Sequence, residues 1–206
     1  MLVLPGARLM TIRNAVAYLL FAAAAALAAG SHAVAEPAVT QKIVTYDVTG
    51  TTPAEVRANL NQLGPVDRHD SRRYDANTNW YVRWRYQYSN TPQGCAIASV
   101  TSSVEIVTTM PKLKSDAGTP PELARAFSAY TEKLTEHERG HGQNGIAVAR
   151  LIEVAIRKHP PMPSCDALGQ SANLLGMKII KEDGARMDMD YDARTRHGRT
   201  QGAIFP

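Results

Sequence analysis

The sequence carries only two cysteines, Cys95 and Cys165, and no Cys-x-x-Cys pair. Thiolate zinc knuckles use that spacing, so its absence argues against one. Beyond residue 35 there is no second long apolar run, and no transmembrane segment is expected there. Internal repeats and low-complexity stretches are missing too, which excludes solenoid and propeller arrays. A strong charge of one sign is also lacking. The formal charge is +4, and it falls to +2 without Arg8 and Arg13. Arg72-Arg73 and Arg83/Arg85 are small basic clusters that read as a solvated face, so no nucleic-acid partner is expected.

What is present begins with an export signal. Arg8 and Arg13 supply a positive start, Ala15 to Ala29 is a run of small and aliphatic residues, and Ala33-Val34-Ala35 fits a signal-peptidase site. Residues 1–35 are therefore expected to be a signal peptide, with Glu36 the mature N-terminus. The remaining residues 36–206 suffice for a single domain with its own core and no stable membrane span after cleavage. The expected location is the bacterial periplasm or the medium. In such a compartment Cys95 and Cys165 read as one disulfide closing a long loop, contributing about 4 kcal/mol in the chain-entropy account.

The chain then reads as short strands followed by helices. Lys42 to Val48 is β-rich. Thr52-Pro53-Ala54-Glu55 is a helix start, with Thr at the N-cap, Pro at N1 and Glu closing a capping box. Val56, Leu60 and Leu63 share one face of that helix, and Gly64 stops it. Trp80, Val82, Trp84, Tyr86 and Tyr88 alternate with polar residues and Tyr81, the period of a half-buried strand. Its aromatic stripe reads as a core face. A turn over Ser89 to Gly94 leads into a second strand, Ala96 to Met110, forming a hairpin. A long helix is expected from Pro121 to about Lys158, ended by Pro160-Pro161-Met162-Pro163. Ser164 or Asp166 caps a further helix to about Lys181, and the tail from Asp183 reads as polar. The predicted architecture is α+β: a small antiparallel sheet packed against helices, with a His-Glu-x-x-His motif on the long one.

That motif is His137-Glu138-Arg139-Gly140-His141. Residues four apart on a helix lie one above the other, so His137 and His141 can grip one ion together. Glu138 then sits where it can reach water without itself being a ligand. A shuffled chain of this composition contains the pattern on the order of once in a hundred, so the pattern alone is weak. Its context is stronger. Leu123, Phe127, Tyr130, Leu134, His137 and His141 follow steps of 4, 3, 4, 3 and 4, one continuous helical stripe that is apolar until it reaches the histidines. Two inward imidazoles are costly unless a shared ion satisfies both, which points to Zn2+.

A catalytic zinc usually takes three protein ligands. The extended metzincin pattern needs histidine at position 147, where Ala147 stands. Glu153 is 12 residues past His141, about 18 Å along a continuous helix, too far for a common ion. His197, in Tyr191-Asp192-Ala193-Arg194-Thr195-Arg196-His197-Gly198, is the candidate third ligand. Asp192 and Asp190 are the alternatives. His69 and His159 read as surface residues.

Over nearly the whole of residues 36–206 the chain resembles a family of uncharacterised bacterial proteins described as predicted secreted zinc-dependent proteases. The resemblance rests on Tyr46-Asp47-Val48 with Gly50-Thr51, Thr78-Asn79-Trp80-Tyr81-Val82 with Trp84 and Tyr86, Cys95, Pro111, His137 to His141, and the final block Tyr191-Asp192, Thr195, His197-Gly198 and Gly202-Ala203. It implies a zinc metallopeptidase acting on a peptide or protein substrate, such as a cell-envelope protein. In that reading Glu138 is the general base. Tyr191 or Arg194 supplies the donor to the oxyanion, and Thr195 or Asp192 orients a ligand. The alternative is a non-enzymatic exported domain that binds zinc or a cell-envelope partner, the latter through the aromatic strand face.

Overall fold

The computed structural model describes residues 36–67, 70–114 and 118–206. The expected signal peptide and His69 lie outside these residues. The elements run β1 (Ala38–Val48), α1 (Pro53–Leu63), β2 (Asn77–Thr91), β3 (Gly94–Leu113), α2 (Pro121–Arg157), α3 (Cys165–Ile179) and α4 (Ala185–Thr195). A π-helical stretch, Ile180–Gly184, joins α3 to α4, and a 3-10 turn, Arg199–Gln201, follows α4. Among the described residues no helix is long and apolar enough to cross a membrane.

The fold is α+β, as the order of strands and helices predicts. The sheet has three strands in the order β1-β3-β2. β2 and β3 form the expected antiparallel hairpin, with Trp80 opposite Ile106, Val82 opposite Val104 and Tyr86 opposite Val100. The expectation of a wholly antiparallel sheet is corrected by β1, which pairs parallel to β3 from Ala38↔Ser103 to Val48↔Leu113. A parallel pair needs a long crossover, and α1 with β2 supplies it. The strands also outrun their expected limits, leaving a tight turn between Thr91 and Gly94.

α1 starts as its residues dictate. Thr52 accepts from the Glu55 amide, and Glu55 returns bonds to the Thr51 and Thr52 amides. Val56 and Leu60 are fully buried, but Leu63 is 46% exposed, because the helix ends there beyond the core it packs on.

α2 spans 37 residues without a break at Gly142 or Gly145. Its first half buries Leu123, Phe127, Tyr130 and Leu134 against Val48, Val56, Leu60, Met110 and Phe205. The second half packs Ile146, Val148, Ala149, Ile152 and Ile156 on the sheet, where Trp80, Val82, Trp84 and Tyr86 form the receiving face. The aromatic stripe is therefore a core face. Glu153 is fully buried here, with Oε1 accepting from the Ser102 hydroxyl at 2.6 Å.

Trp80 is wedged between helices. A Cβ on Gly145 would lie 2.6 Å from its Cγ, and one on Gly184 would lie 2.6 Å from its Cη2. Only residues without side chains let α2 and the π-helical stretch close on the indole. Cys95 and Cys165 are bonded, tying the start of β3 to the start of α3. Ser164 is the N-cap of α3.

The tail from Asp183, read only as polar, is largely helical: α4 continues the helical path to Thr195. The last residues are then anchored to the first core. Phe205 is buried against Phe127 and Tyr130. Arg57 holds it from outside, with Nη1 2.7 Å from Asp75 Oδ2 and Nη2 donating to the Phe205 carbonyl at 3.2 Å. Tyr130 donates to the same Asp75 carboxylate. This anchoring lays residues 196–202 alongside the middle of α2.

Candidate metal centre

His137 and His141 are 4% and 8% exposed, one helical turn apart, with ring centroids separated by 5.0 Å. The apolar stripe carries them inward as its periodicity requires. Facing them is α4. Asp192 Oδ1 lies 3.2 Å from His137 Nε2 and 3.1 Å from His141 Nε2. These three donors are mutually within 4.8 Å, close enough to hold one metal ion.

His197 reaches the same oxygen from the far side, its Nδ1 3.4 Å from Asp192 Oδ1. The turn that brings it there is sharp. Arg196, His197 and Gly198 all have positive φ, at 53°, 51° and 79°. Its side chain is 53% exposed and its ring lies 5.1 Å from that of Tyr74. The compact group is therefore His137, His141 and Asp192, with His197 joined to it through Asp192. Asp190 is exposed and joins no cluster. His159 is engaged elsewhere, its Nε2 2.8 Å from the Ser171 hydroxyl.

Glu138 is 4% exposed, and its Oε2 has no hydrogen-bond partner. Burial pushes its pKa up, opposed by the charges of His141 and His137 and by a bond from Thr78. Tyr191 stacks on His137, rings 5.1 Å apart and 11° from parallel, and its hydroxyl donates to the His137 carbonyl at 3.0 Å. Gly140 makes this possible, since a Cβ there would fall 2.1 Å from Tyr191 Cζ. The Arg194 guanidinium lies over the other part of the same ring, 5.7 Å from its centroid.

A second layer surrounds the histidines, and most of it escaped the sequence reading. His141 Nδ1 is 2.9 Å from Asp188 Oδ1, which also accepts from Asn144 at 2.8 Å. Asp188 Oδ2 accepts from Trp80 Nε1 at 2.9 Å. His137 Nδ1 is 3.0 Å from Gln201 Oε1 and 3.5 Å from the buried Thr195 hydroxyl. A signal for Asp188 existed: it is four residues before Asp192, the same spacing as His137 and His141. Recognising it required reading the tail as a helix. Gln201 carries no such signal.

Burial would raise the Asp192 pKa, but bonds from His137 and His141 outweigh it and hold the carboxylate well below its usual range. In the metal-free protein burial pulls His141 down, yet bonds to Asp188 and Asp192 prevail and push it up to about 10. Two imidazole nitrogens and a carboxylate oxygen, with an unpartnered buried carboxylate oxygen on the adjacent residue, fit a divalent metal of intermediate softness.

No curated protein and no solved structure matches the chain. The family profile of DUF922, described as bacterial proteins of unknown function, matches residues 43–198. The chain, with its two helix-borne histidines facing an aspartate of the C-terminal helix, thus belongs to the DUF922 family of bacterial proteins.

Proposed function

We propose that this protein is an exported zinc metallopeptidase. The observation that carries the reading is the meeting of His137, His141 and Asp192 beside a buried Glu138 that has an unpartnered oxygen. Export is supported by the signal-like pattern of residues 1–35 and by the Cys95–Cys165 disulfide, which suits an oxidising compartment. Residues 36–206 act as one metallopeptidase domain.

His137 and His141 would hold the ion through Nε2, with Asp192 or His197 as the third ligand. When bound, zinc supplies Lewis acidity, which acidifies water and polarises a carbonyl oxygen. Glu138 takes the proton of the attacking water at Oε2 and passes it to the leaving amine. Burial, by raising its pKa, suits it to that exchange near neutral pH. Tyr191 serves the oxyanion once its hydroxyl leaves the His137 carbonyl. The substrate is a peptide or protein, with cell-envelope proteins the accessible class in that compartment.

One observation favours a second reading. Three imidazoles converge on Asp192 Oδ1, and a site that used all four residues would be closed, as structural zinc sites are. Metal analysis of the purified protein, with hydrolysis of a mixed peptide library with and without chelator, separates the two. Chelator-sensitive cleavage supports the peptidase; stoichiometric zinc with no cleavage supports the closed site. Zinc titration of His197→Ala and Asp192→Asn identifies the third ligand, since wild-type affinity in either variant removes that residue from the set.

A further inference from the structure

Beyond the ligands themselves, we infer that Asp188 and Gln201 are positioning residues that fix which nitrogen of each histidine carries the proton. The inference rests on the metal reading of His137 and His141.

A carboxylate only accepts hydrogen bonds. Asp188 Oδ1 sits 2.9 Å from His141 Nδ1, so Nδ1 carries hydrogen, and the proton an ion would displace is the one on Nε2, which faces Asp192 Oδ1 at 3.1 Å. That Nε2 is the atom facing Asp192 and His137. Asp188 itself cannot turn away easily, because Asn144 holds Oδ1 and the wedged Trp80 holds Oδ2.

His137 is fixed by a longer circuit. The Tyr191 hydroxyl donates to the His137 carbonyl, so it must accept from Gln201 Nε2, 3.1 Å away. That bond orients the Gln201 amide with Oε1 toward His137 Nδ1 at 3.0 Å. An amide oxygen only accepts, so Nδ1 of His137 also carries hydrogen, which leaves Nε2, 3.2 Å from Asp192 Oδ1, as the nitrogen for the ion. Both histidines thus keep hydrogen on Nδ1 and turn Nε2 toward the ion, held so by residues outside the His-Glu-x-x-His motif. One partner is charged and the other neutral, so His141 is held by the stronger of the two bonds. Partners of this kind orient a ligating ring and raise its basicity.

The test uses the mature protein with Asp188→Asn, Asp188→Glu and Gln201→Leu, read by competition for zinc against a chromophoric chelator and by nitrogen NMR of the histidine rings. Asp188→Asn is expected to weaken zinc about 10–100-fold and to disturb the His141 ring signals while sparing those of His137. Asp188→Glu should recover part of the loss. Gln201→Leu should disturb His137 and spare His141, with a smaller loss of affinity, and it keeps the test alive if Asp188→Asn does not fold. A wild-type protein that takes up no zinc overturns the metal reading and this inference with it. Zinc binding by wild type, with unchanged affinity and unchanged ring signals in the folded variants, overturns this inference alone.

Discussion

At the scale of single residues, the site is a set of polar groups satisfied mostly by one another. Glu138 is the exception, with one buried oxygen left without a partner. A base that must take a proton cannot have every lone pair engaged. Glu138→Gln removes the base and keeps the shape, so zinc content should be unchanged while peptide cleavage falls by about 10²–10⁴-fold. Hydrolysis at the wild-type rate would falsify the base assignment. His141 gives a prediction about pH. With its metal-free pKa pushed up to about 10, it holds a proton through the neutral range. Zinc must displace that proton, so affinity should rise about tenfold for each pH unit until the pKa is passed. Chelator competition at several pH values measures the slope, and a flat profile would contradict it. The residues that the sequence made visible here were His137, Glu138 and His141, whose spacing is local and helical. Asp192 was reachable only as an alternative to His197. Asp188 left only the trace of its four-residue spacing to Asp192, and Gln201 left none, because their duty is set by contacts 47 and 64 residues away in the chain.

Elements were legible to the extent that their buried faces are apolar. α1 announced itself by its capping residues, α2 by a period near 3.6, and the β2–β3 hairpin by alternation. α4 did not, for a physical reason. Its face toward the histidines is Asp188, Tyr191, Asp192 and Thr195, spaced as a helix face should be but polar except for one ring, and only Met187 beside it packs on the core. A search for apolar periodicity passes over such a helix. Close packing between elements adds a second prediction. Alanine at position 145 would gain about 1 kcal/mol of helix propensity over glycine. The new Cβ, however, would fall 2.6 Å from Trp80 Cγ. Overpacking of that kind costs about 1–3 kcal/mol, so Gly145→Ala should lower the unfolding midpoint despite the better helix former. A raised midpoint would show that Trp80 can move aside, which would also loosen its hold on Asp188.

At the scale of the whole molecule, two ties keep distant parts of the chain in register. Cys95 and Cys165 are 70 residues apart and join the hairpin to α3, across the whole of α2. Removing a cross-link of that span should cost about 4 kcal/mol in the chain-entropy account. The double variant Cys95→Ala/Cys165→Ala should therefore unfold at clearly lower denaturant than wild type, and equal midpoints would deny the bond a stabilising role. The other tie is the Phe205 anchor, held by Arg57, Phe127 and Tyr130, which lays the C-terminal segment beside His137. Parallel pairing of β1 with β3 also belongs to this scale, since nothing local to β1 specifies the direction of its neighbour.

The His-Glu-x-x-His pattern of α2, the inward direction of its two histidines and the pairing of the two cysteines could be read from the residues alone. Each of these follows from short-range spacing or from simple counting. Tertiary structure alone decided what those histidines face. Asp192, Asp188, Gln201 and His197 reach them only after α3, the π-helical stretch and α4 have folded back along α2 and the C-terminus has been anchored. The face of α4 toward the histidines has no apolar stripe of its own, so its place is set by what Asp188, Tyr191 and Asp192 meet on β2 and α2, namely Trp80, His137 and His141.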